Sequence, residues 1–294
     1  MTIDDGVKGA KEVVGIASEL IKAAGNDPNV KAAGHELGKA ALKVAKCINN
    51  ALLPVAAVNF AFDKARTYFS TRFEADMSAE AASIPSECIT DPKPSIAGPA
   101  LQGLAFSYDE ADLKEMYLNL LASAMDSRRE HSAHPAFVEI IRQLTAEEAP
   151  LLKRVLRSAE GLPIGEIRLL NSTSHHWITL YRHLIDLRDT ETGAAVENPG
   201  VPAMVDNWVR LGLVHVTYDK YLSGAPFYDP LHARPEVVRF RTQRSTAQQD
   251  VGVQPGIVAR TAFGQQFASI VGLLEEPQGT APQTPSHDFA VPKV

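Results

Sequence analysis

Two histidines three positions apart, His131 and His134, are the residues whose types and spacing best suit chemistry. Asp126 and Glu130 stand nearby in the same stretch, DSRREHSAH. Imidazole and carboxylate groups are ligands of catalytic zinc, which needs three protein ligands in a fixed geometry. Two arginines lie among them, however, and fixed positive charge beside a prospective cation site is unfavourable. The stretch is therefore either a metal or catalytic site or a joint between two helices.

The helices on either side of this joint explain the same residues without chemistry. Pro135 suits the first turn of a helix, where a backbone N–H would have no partner, and His134 can cap that helix. Arg128, Arg129 and His131 follow the preceding helix, whose C-terminal end favours positive charge. We therefore expect the joint to be architectural.

The remaining histidines and the tryptophans give weaker signals. His176 and His183 lie two turns apart on a helix predicted over His175–Leu187, but no carboxylate or thiol shares their face. Trp177 and Trp208 sit at helical spacing among aliphatic residues, which predicts core packing. The sequence contains no G-x-S-x-G, P-loop, G-x-G-x-x-G or H-E-x-x-H motif. We therefore predict no catalytic, cofactor-binding or metal-binding residues, and a protein that is not an enzyme.

The overall composition excludes several classes of protein. The 294 residues carry a net charge of −6, so the whole chain is no generic nucleic-acid binder. Cys47 and Cys88 are the only cysteines, which fits a reducing compartment and gives no C-x-x-C pair. The most apolar run, Ala51–Phe62, is about half the length of a membrane span and is interrupted by Pro54 and Asn59. With no export signal evident at the start, we expect a cytoplasmic protein, with peripheral attachment to the inner membrane left open.

Helical periodicity dominates the first half of the chain. From Val30 onwards, apolar residues recur every seven positions, with Leu37 and Val44 in the same row. This pattern predicts a helical hairpin within the core, or an amphipathic surface over residues 6–50 that contacts a membrane or a partner. A further helix is predicted over Asn59–Met77.

The next stretch is rich in proline and should separate two sets of helices. Proline removes a backbone donor and disfavours helix at the residue before it, so residues 84–99 are predicted to be an extended connector. Ser107 and Glu110 then form an S-x-x-E pattern, which predicts a capping box. The helix after it carries an apolar stripe from Leu113 to Met125. We assign residues 1–145 to one helical domain.

Beyond residue 145, helices and strands are mixed. Thr145 and Glu148 form a second capping-box pattern. The order that follows is helix, strand, helix, helix and a hairpin with a long loop, which is that of a winged helix. We therefore predict a mostly α protein in which residues 146–274 form a winged-helix-like α+β domain, followed by a disordered tail over residues 275–294. The predicted elements are a strand over PIGEIRLL, helices over His175–Leu187 and Pro202–Leu213, strands over VHVTYDKYL, Val237–Arg241 and Ile257–Arg260, and a last helix capped by Thr261.

A winged helix raises the question of nucleic-acid binding. In that fold the helix before the hairpin can enter the major groove of DNA. Here that helix has Arg210 as its only positive charge, while phosphate binding needs several cations. The hairpin region adds Lys220, Arg239 and Arg241. These four residues are the candidate nucleic-acid contacts, although we favour a domain used for packing or protein contacts.

Several stretches resemble the bacterial abortive infection alpha (Abi-alpha) family. They are PSIAGPALQGL, DEADLKEMYLNLLASAMD and HPAFVEIIRQLTAEEA, with NNALLP before them and TAFGQQF late in the chain. The resemblance spans roughly residues 40–275 and consists mostly of packing and turn residues. It implies a cytoplasmic role in defence against phage by disabling the infected cell.

The residues and the resemblance together predict a bacterial anti-phage protein that works without catalysis and without a cofactor. It would act through a protein partner, through self-association or through peripheral membrane contact by residues 6–50. The alternative hypothesis is a winged-helix regulator that binds DNA.

Overall fold

The computed structural model describes residues 59–223 and 227–274, with side chains from Ala65 onwards. The predictions for residues 6–50 and for the tail over residues 275–294 lie outside the described residues. Within the described ranges, no helix is long and apolar enough to cross a membrane.

Six α-helices form the first part of the described chain, and their apolar faces share one core. The fourth of them, α4, is the most buried, because its apolar residues occur on almost every side of the helix. Its neighbours pack around it and cover that surface. The six helices are α1 (Asn59–Thr71), α2 (Phe73–Ala81), α3 (Pro94–Ser107), α4 (Ala111–Met125), α5 (Pro135–Ile141) and α6 (Glu148–Arg157).

The proline-rich connector is shorter than predicted. Residues 86–88 form one 3₁₀ turn, and Pro94 begins α3, so the extended connector ends at Lys93. Proline is tolerated in the first turn of a helix, where the missing N–H has no partner to lose. The prediction of a capping box at Ser107 is also wrong, because Ser107 is the last residue of α3 and only its carbonyl accepts the N–H of Glu110.

A four-stranded sheet forms the second part. The strands are β1 (Leu162–Asn171), β2 (Trp177–Leu184), β3 (Val214–Thr217) and β4 (Gln249–Arg260), in the order β2-β1-β4-β3 with every neighbouring pair antiparallel. A tight turn joins β1 to β2, so these two strands form a hairpin, and β2 is an edge strand.

Four further helices pack on the sheet and on the first six. They are α7 (Val201–Arg210), α8 (Asp229–His232), α9 (Pro235–Arg244) and α10 (Ala262–Ile270). Helices α8 and α9 cover one face of the sheet, where Leu231 and Val237 join Ile167, Leu169 and Val251 in a small cluster. Helices α7 and α10 instead contribute to the main core, which contains Leu101, Met116, Leu120, Phe137, Leu152, Trp208 and Phe267.

Two predicted elements have the opposite type. The predicted helix over His175–Leu187 is strand β2, and the predicted strand over Val237–Arg241 lies within helix α9. In β2 the register shifts on both sides of Tyr181 place Ile178, Tyr181 and Leu184 opposite alternate residues of β1, so residues three apart share one face, as they do in a helix. In α9, Pro235 occupies the first turn and starts a helix, although the local V-V-R-F-R pattern is typical of a strand.

The α+β character of the second part is confirmed, but the winged-helix arrangement is not. Its predicted order required a helix where β2 stands and a hairpin strand where α9 stands. The division at residue 145 stays a prediction, and buried residues from both sides of it, such as Leu120 and Trp208, belong to the same main cluster.

Candidate functional site

The joint between α4 and α5 contains the contacts of a helix stop and a helix start. The ring Nδ1 of His134 accepts the backbone N–H of Ala136 at 3.0 Å, so His134 is the N-cap of α5, as predicted. The buried carboxylate of Asp126 accepts the backbone N–H of Arg128 at 3.0 Å and its guanidinium Nη2 at 2.6 Å. Among residues 59–223 and 227–274, no three histidine, cysteine, aspartate or glutamate residues are grouped as metal ligands would be.

The four candidate nucleic-acid contacts lie on three separate elements. Arg210 ends α7 and donates to the side chains of Gln143 and Asn207. Lys220 is exposed in the segment after β3. Arg239 and Arg241 are both exposed on α9.

Arg239 is the most strongly engaged of the four. Its guanidinium donates to both carboxylate oxygens of Glu197, at 2.6 and 2.8 Å. The hydrogen bonds that Arg239 donates to Glu197 raise the pKa of the Arg239 guanidinium, although both groups are exposed to solvent. A cation paired in this way is less available to a phosphate, and the four residues form no single basic surface.

A different group of side chains comes together on the face of the sheet opposite α9. Glu166 and Arg168 are two apart on β1, so they project from the same face. The Nε of Arg168 donates to Glu166 at 2.6 Å and its Nη1 donates to Gln254 of β4 at 3.0 Å. Arg182 of β2 pairs with the other oxygen of Glu166 at 3.4 Å. These contacts balance the charge of a carboxylate whose side chain is only 6% exposed.

Trp177 lies flat on this group. The guanidinium carbon of Arg168 is 3.7 Å from the centre of the indole ring, which is the geometry of a cation–π contact. The residue is nevertheless 49% exposed, so the prediction that Trp177 belongs to the core is wrong, whereas Trp208 is completely buried as predicted.

The end of the β1–β2 hairpin is apolar and exposed. Leu170 pairs with Trp177 and Leu169 pairs with Ile178 across the hairpin. Leu170, Trp177 and Ile178 are all among the large hydrophobic residues with high exposure, and Ile178 reaches 60%. We call Leu170, Trp177 and Ile178 the hairpin tip, in which Leu170 and Trp177 project from the face that carries Arg168 and Ile178 projects from the opposite face.

The other end of β2 is held by a buried histidine. His183 is 2% exposed and has a left-handed backbone with a φ of 57°. Its Nε2 lies 3.1 Å from the carboxylate of Asp206 on α7, and its Nδ1 lies 3.0 Å from the hydroxyl of Tyr218. Burial lowers the pKa of His183, against the opposing effect of the hydrogen bond that its ring makes to the carboxylate of Asp206. Burial also raises the pKa of Tyr218 to about 12, so the phenol keeps its proton near neutral pH.

Sequence reasoning missed both groups because it placed β2 in a helix. One signal was present: Glu166 and Arg168 alternate with Ile167 and Leu169, and opposite charges on alternate residues of a strand share one face. The partners from β2, β4 and α7 are distant in sequence and carried no local signal.

The comparisons with known proteins give one family. The model of the family described as abortive infection alpha matches residues 65–271, which are most of the chain. No curated protein and no solved structure matches. The matched range contains the helical core, the sheet and the hairpin tip, and on this match the chain belongs to the abortive infection alpha family.

Proposed function

We propose that the protein defends bacteria against phage by abortive infection and that it does so through contacts with another protein, without catalysis. The observation that carries this proposal is the family match over residues 65–271, whose description names abortive infection. The mode of action is our inference from the surface of the molecule.

The hairpin tip supports action through a protein contact. It combines an exposed tryptophan with two exposed aliphatic side chains, and Arg168 beneath Trp177 fixes the orientation of the indole. Tryptophan and arginine are enriched among the residues that contribute most to protein–protein binding. An ordered side chain also loses less conformational entropy on binding than a mobile one.

A second contact surface is proposed for residues 6–50. The seven-residue rhythm there suits an amphipathic helix that binds a protein partner or the surface of the inner membrane. In this proposal residues 6–50 deliver the effect on the cell, and the hairpin tip binds the protein that triggers or transmits it.

A phage challenge tests the proposal with a matched pair of variants. A culture that expresses the protein should survive a panel of phages at low multiplicity and should collapse at high multiplicity. Ile178→Ser should abolish protection, because it removes an apolar side chain from the hairpin tip. Val238→Ser on α9 removes a similarly exposed aliphatic side chain, 51% against 60%, and should leave protection unchanged.

Two results would count against the proposal. Full protection by the Ile178→Ser variant would remove the hairpin tip from the mechanism. Absence of protection by the unchanged protein against every phage in the panel would leave the defence function without support.

A further inference from the structure

His183 connects three elements at the C-terminal end of the edge strand β2. Its ring contacts Asp206 on α7 and Tyr218 after β3, and its own backbone N–H donates to the Tyr218 hydroxyl at 3.1 Å. The same hydroxyl lies 3.5 Å from the carbonyl of Gly165 on β1. A histidine with a positive φ needs such surroundings to hold its backbone in place.

The hydrogen-bond partners of the His183 ring are satisfied by one protonation state. A carboxylate only accepts hydrogen bonds, so Nε2 must carry a hydrogen toward Asp206. The oxygen of Tyr218 already accepts the backbone N–H of His183, so its own hydrogen is available for Nδ1. The neutral Nε2–H tautomer therefore satisfies all three groups.

A second proton would disturb this arrangement at one specific atom. It would place a hydrogen on Nδ1, facing the hydroxyl of Tyr218. That oxygen would then have to accept two hydrogens and send its own toward Gly165, across a distance at the limit of a hydrogen bond. The contact with Tyr218 would weaken, while the contact with Asp206 would gain an ion pair.

The charged groups around the ring do not remove the cost of a buried cation. Asp206 on α7 and Glu166 on β1 favour the protonated form, and Arg182 on β2 opposes it. Glu166 already pairs with Arg168 and Arg182. Asp206 is mostly exposed, with 68% of its side chain open to solvent. A protonated His183 ring would therefore be stabilised by moving toward the solvent on the side of Asp206.

We propose that His183 is a proton-sensitive latch on β2: its neutral ring holds the end of the strand to Tyr218, and its protonation releases that contact. Because β2 also carries Trp177 and Ile178, a fall in pH would loosen the strand that presents the hairpin tip. This inference concerns regulation and stands apart from the proposed function, because it is tested on the purified chain without phage or partner.

Hydrogen exchange of the full chain, measured at pH 7.5 and 5.5 and corrected for the intrinsic pH dependence of exchange, tests the latch. The amides of β2 (Trp177–Leu184) should exchange several times faster at pH 5.5, while those of α4 (Ala111–Met125) serve as an internal reference and stay unchanged. His183→Asn should remove this difference, since asparagine tolerates a positive φ and does not titrate. His215→Asn, on the exposed side of β3, should keep it.

A second measurement keeps the test decisive if the His183→Asn variant fails to fold. In the unchanged protein, ¹³C and ¹⁵N shifts of the histidine rings should show the Nε2–H form of His183 at pH 7.5 and its titration over the range in which β2 loosens. Titration of His183 with no change in β2 exchange would overturn the proposal. The same pH-dependent exchange in a folded His183→Asn variant would also overturn it.

Discussion

Arg234 and Glu236 form an ion pair in which both side chains are almost completely removed from solvent. The Nη2 of Arg234 lies 2.7 Å from Oε1 of Glu236, and the two side chains are 1% and 4% exposed. The guanidinium also donates to the carbonyls of Leu187 and Val196, at 2.6 and 2.7 Å. The pair thus fastens the loop after β2 to the start of α9, which covers the sheet.

Removal of one member of this pair should be costly. Arg234→Ala leaves a buried carboxylate without its cation and the carbonyl of Val196 without its donor, whereas the carbonyl of Leu187 keeps the backbone N–H of Val196, so we expect a loss of about 3–5 kcal/mol in the free energy of unfolding. Urea unfolding followed by circular dichroism measures this loss. Arg241→Ala, on an exposed position of the same helix, should change stability by no more than about 0.5 kcal/mol.

Replacement of both members separates the cost of an orphaned charge from the contribution of the pair. Arg234→Met combined with Glu236→Leu should be less destabilising than Arg234→Ala alone, because no buried charge remains. A double variant that is as unstable as the sum of its single variants would show that the two side chains act independently.

Asp126 should stabilise the joint between α4 and α5 in a pH-dependent way. Hydrogen bonds from Arg128 lower the pKa of the Asp126 carboxyl below its usual value, against the effect of burial. The contribution is therefore present above the unfolded-state pKa and is lost as the pH falls through the lower, folded-state pKa. Asp126→Asn should cost ~1–3 kcal/mol at pH 7, and the difference from the unchanged protein should shrink at acid pH.

Urea unfolding at pH 7 and at the acid end of the folded range checks this prediction. Asp109→Asn, at an exposed position in the turn before α4, is the control and should be neutral at both pH values. A cost of Asp126→Asn that grows as the pH falls would contradict the assigned charge state.

Several helix starts could be predicted from sequence because the signal is local. Thr145 and Glu148 form the predicted capping box, with the N–H of each residue donating to the side chain of the other. Thr261 accepts the N–H of Gly264 at 2.8 Å and caps α10 as predicted. Such caps need only residues within one turn of each other.

The edge strand β2 could not be predicted in this way. Ile178, Tyr181 and Leu184 are three apart, as on one side of a helix, and they share a face of the sheet only because of register shifts that depend on pairing with β1. The charged group around Glu166 was the hardest part to predict, because Arg168 and Gln254 meet only when β1 pairs with β4. Positions 86 apart in sequence give no periodic signal.

Removal of the capping box at the start of α6 should measurably lower the free energy of unfolding. Thr145→Ala removes the side-chain acceptor for the Glu148 N–H, and the free energy of unfolding should fall by about 1 kcal/mol. Thermal and urea unfolding both report it. Thr190→Ala, at an exposed loop position, should have no effect, and an equal loss there would mean that the effect is not due to capping.

The exposure of Trp177 can be read from fluorescence, because the chain has only two tryptophans. Iodide stays in water, so it should quench Trp177 at the hairpin tip and leave the fully buried Trp208 unquenched. A Trp177→Phe variant should therefore lose nearly all of its iodide-sensitive emission. Unchanged quenching in that variant would show that Trp208, and not Trp177, faces solvent.

The proposed role of residues 6–50 gives a prediction that separates protection from folding. Deletion of residues 1–50 should abolish protection against phage, because it removes the surface proposed to act on the cell. The helical core and the sheet should remain, since the described buried residues of both clusters, from Tyr68 to Leu273, pack against one another. Circular dichroism and thermal unfolding of the shortened chain check the fold, and plaque counts check protection.

A point variant addresses the same surface in the full chain. Leu37→Asp combined with Val44→Asp places two charges in the apolar row of the heptad pattern and should also abolish protection, because an apolar surface binds protein or lipid only while it is uncharged. Lys39→Asp reverses a charge outside that row and is the control. Full protection by the shortened chain, or by the Leu37→Asp and Val44→Asp variant, would assign the effect on the cell to the residues after position 50.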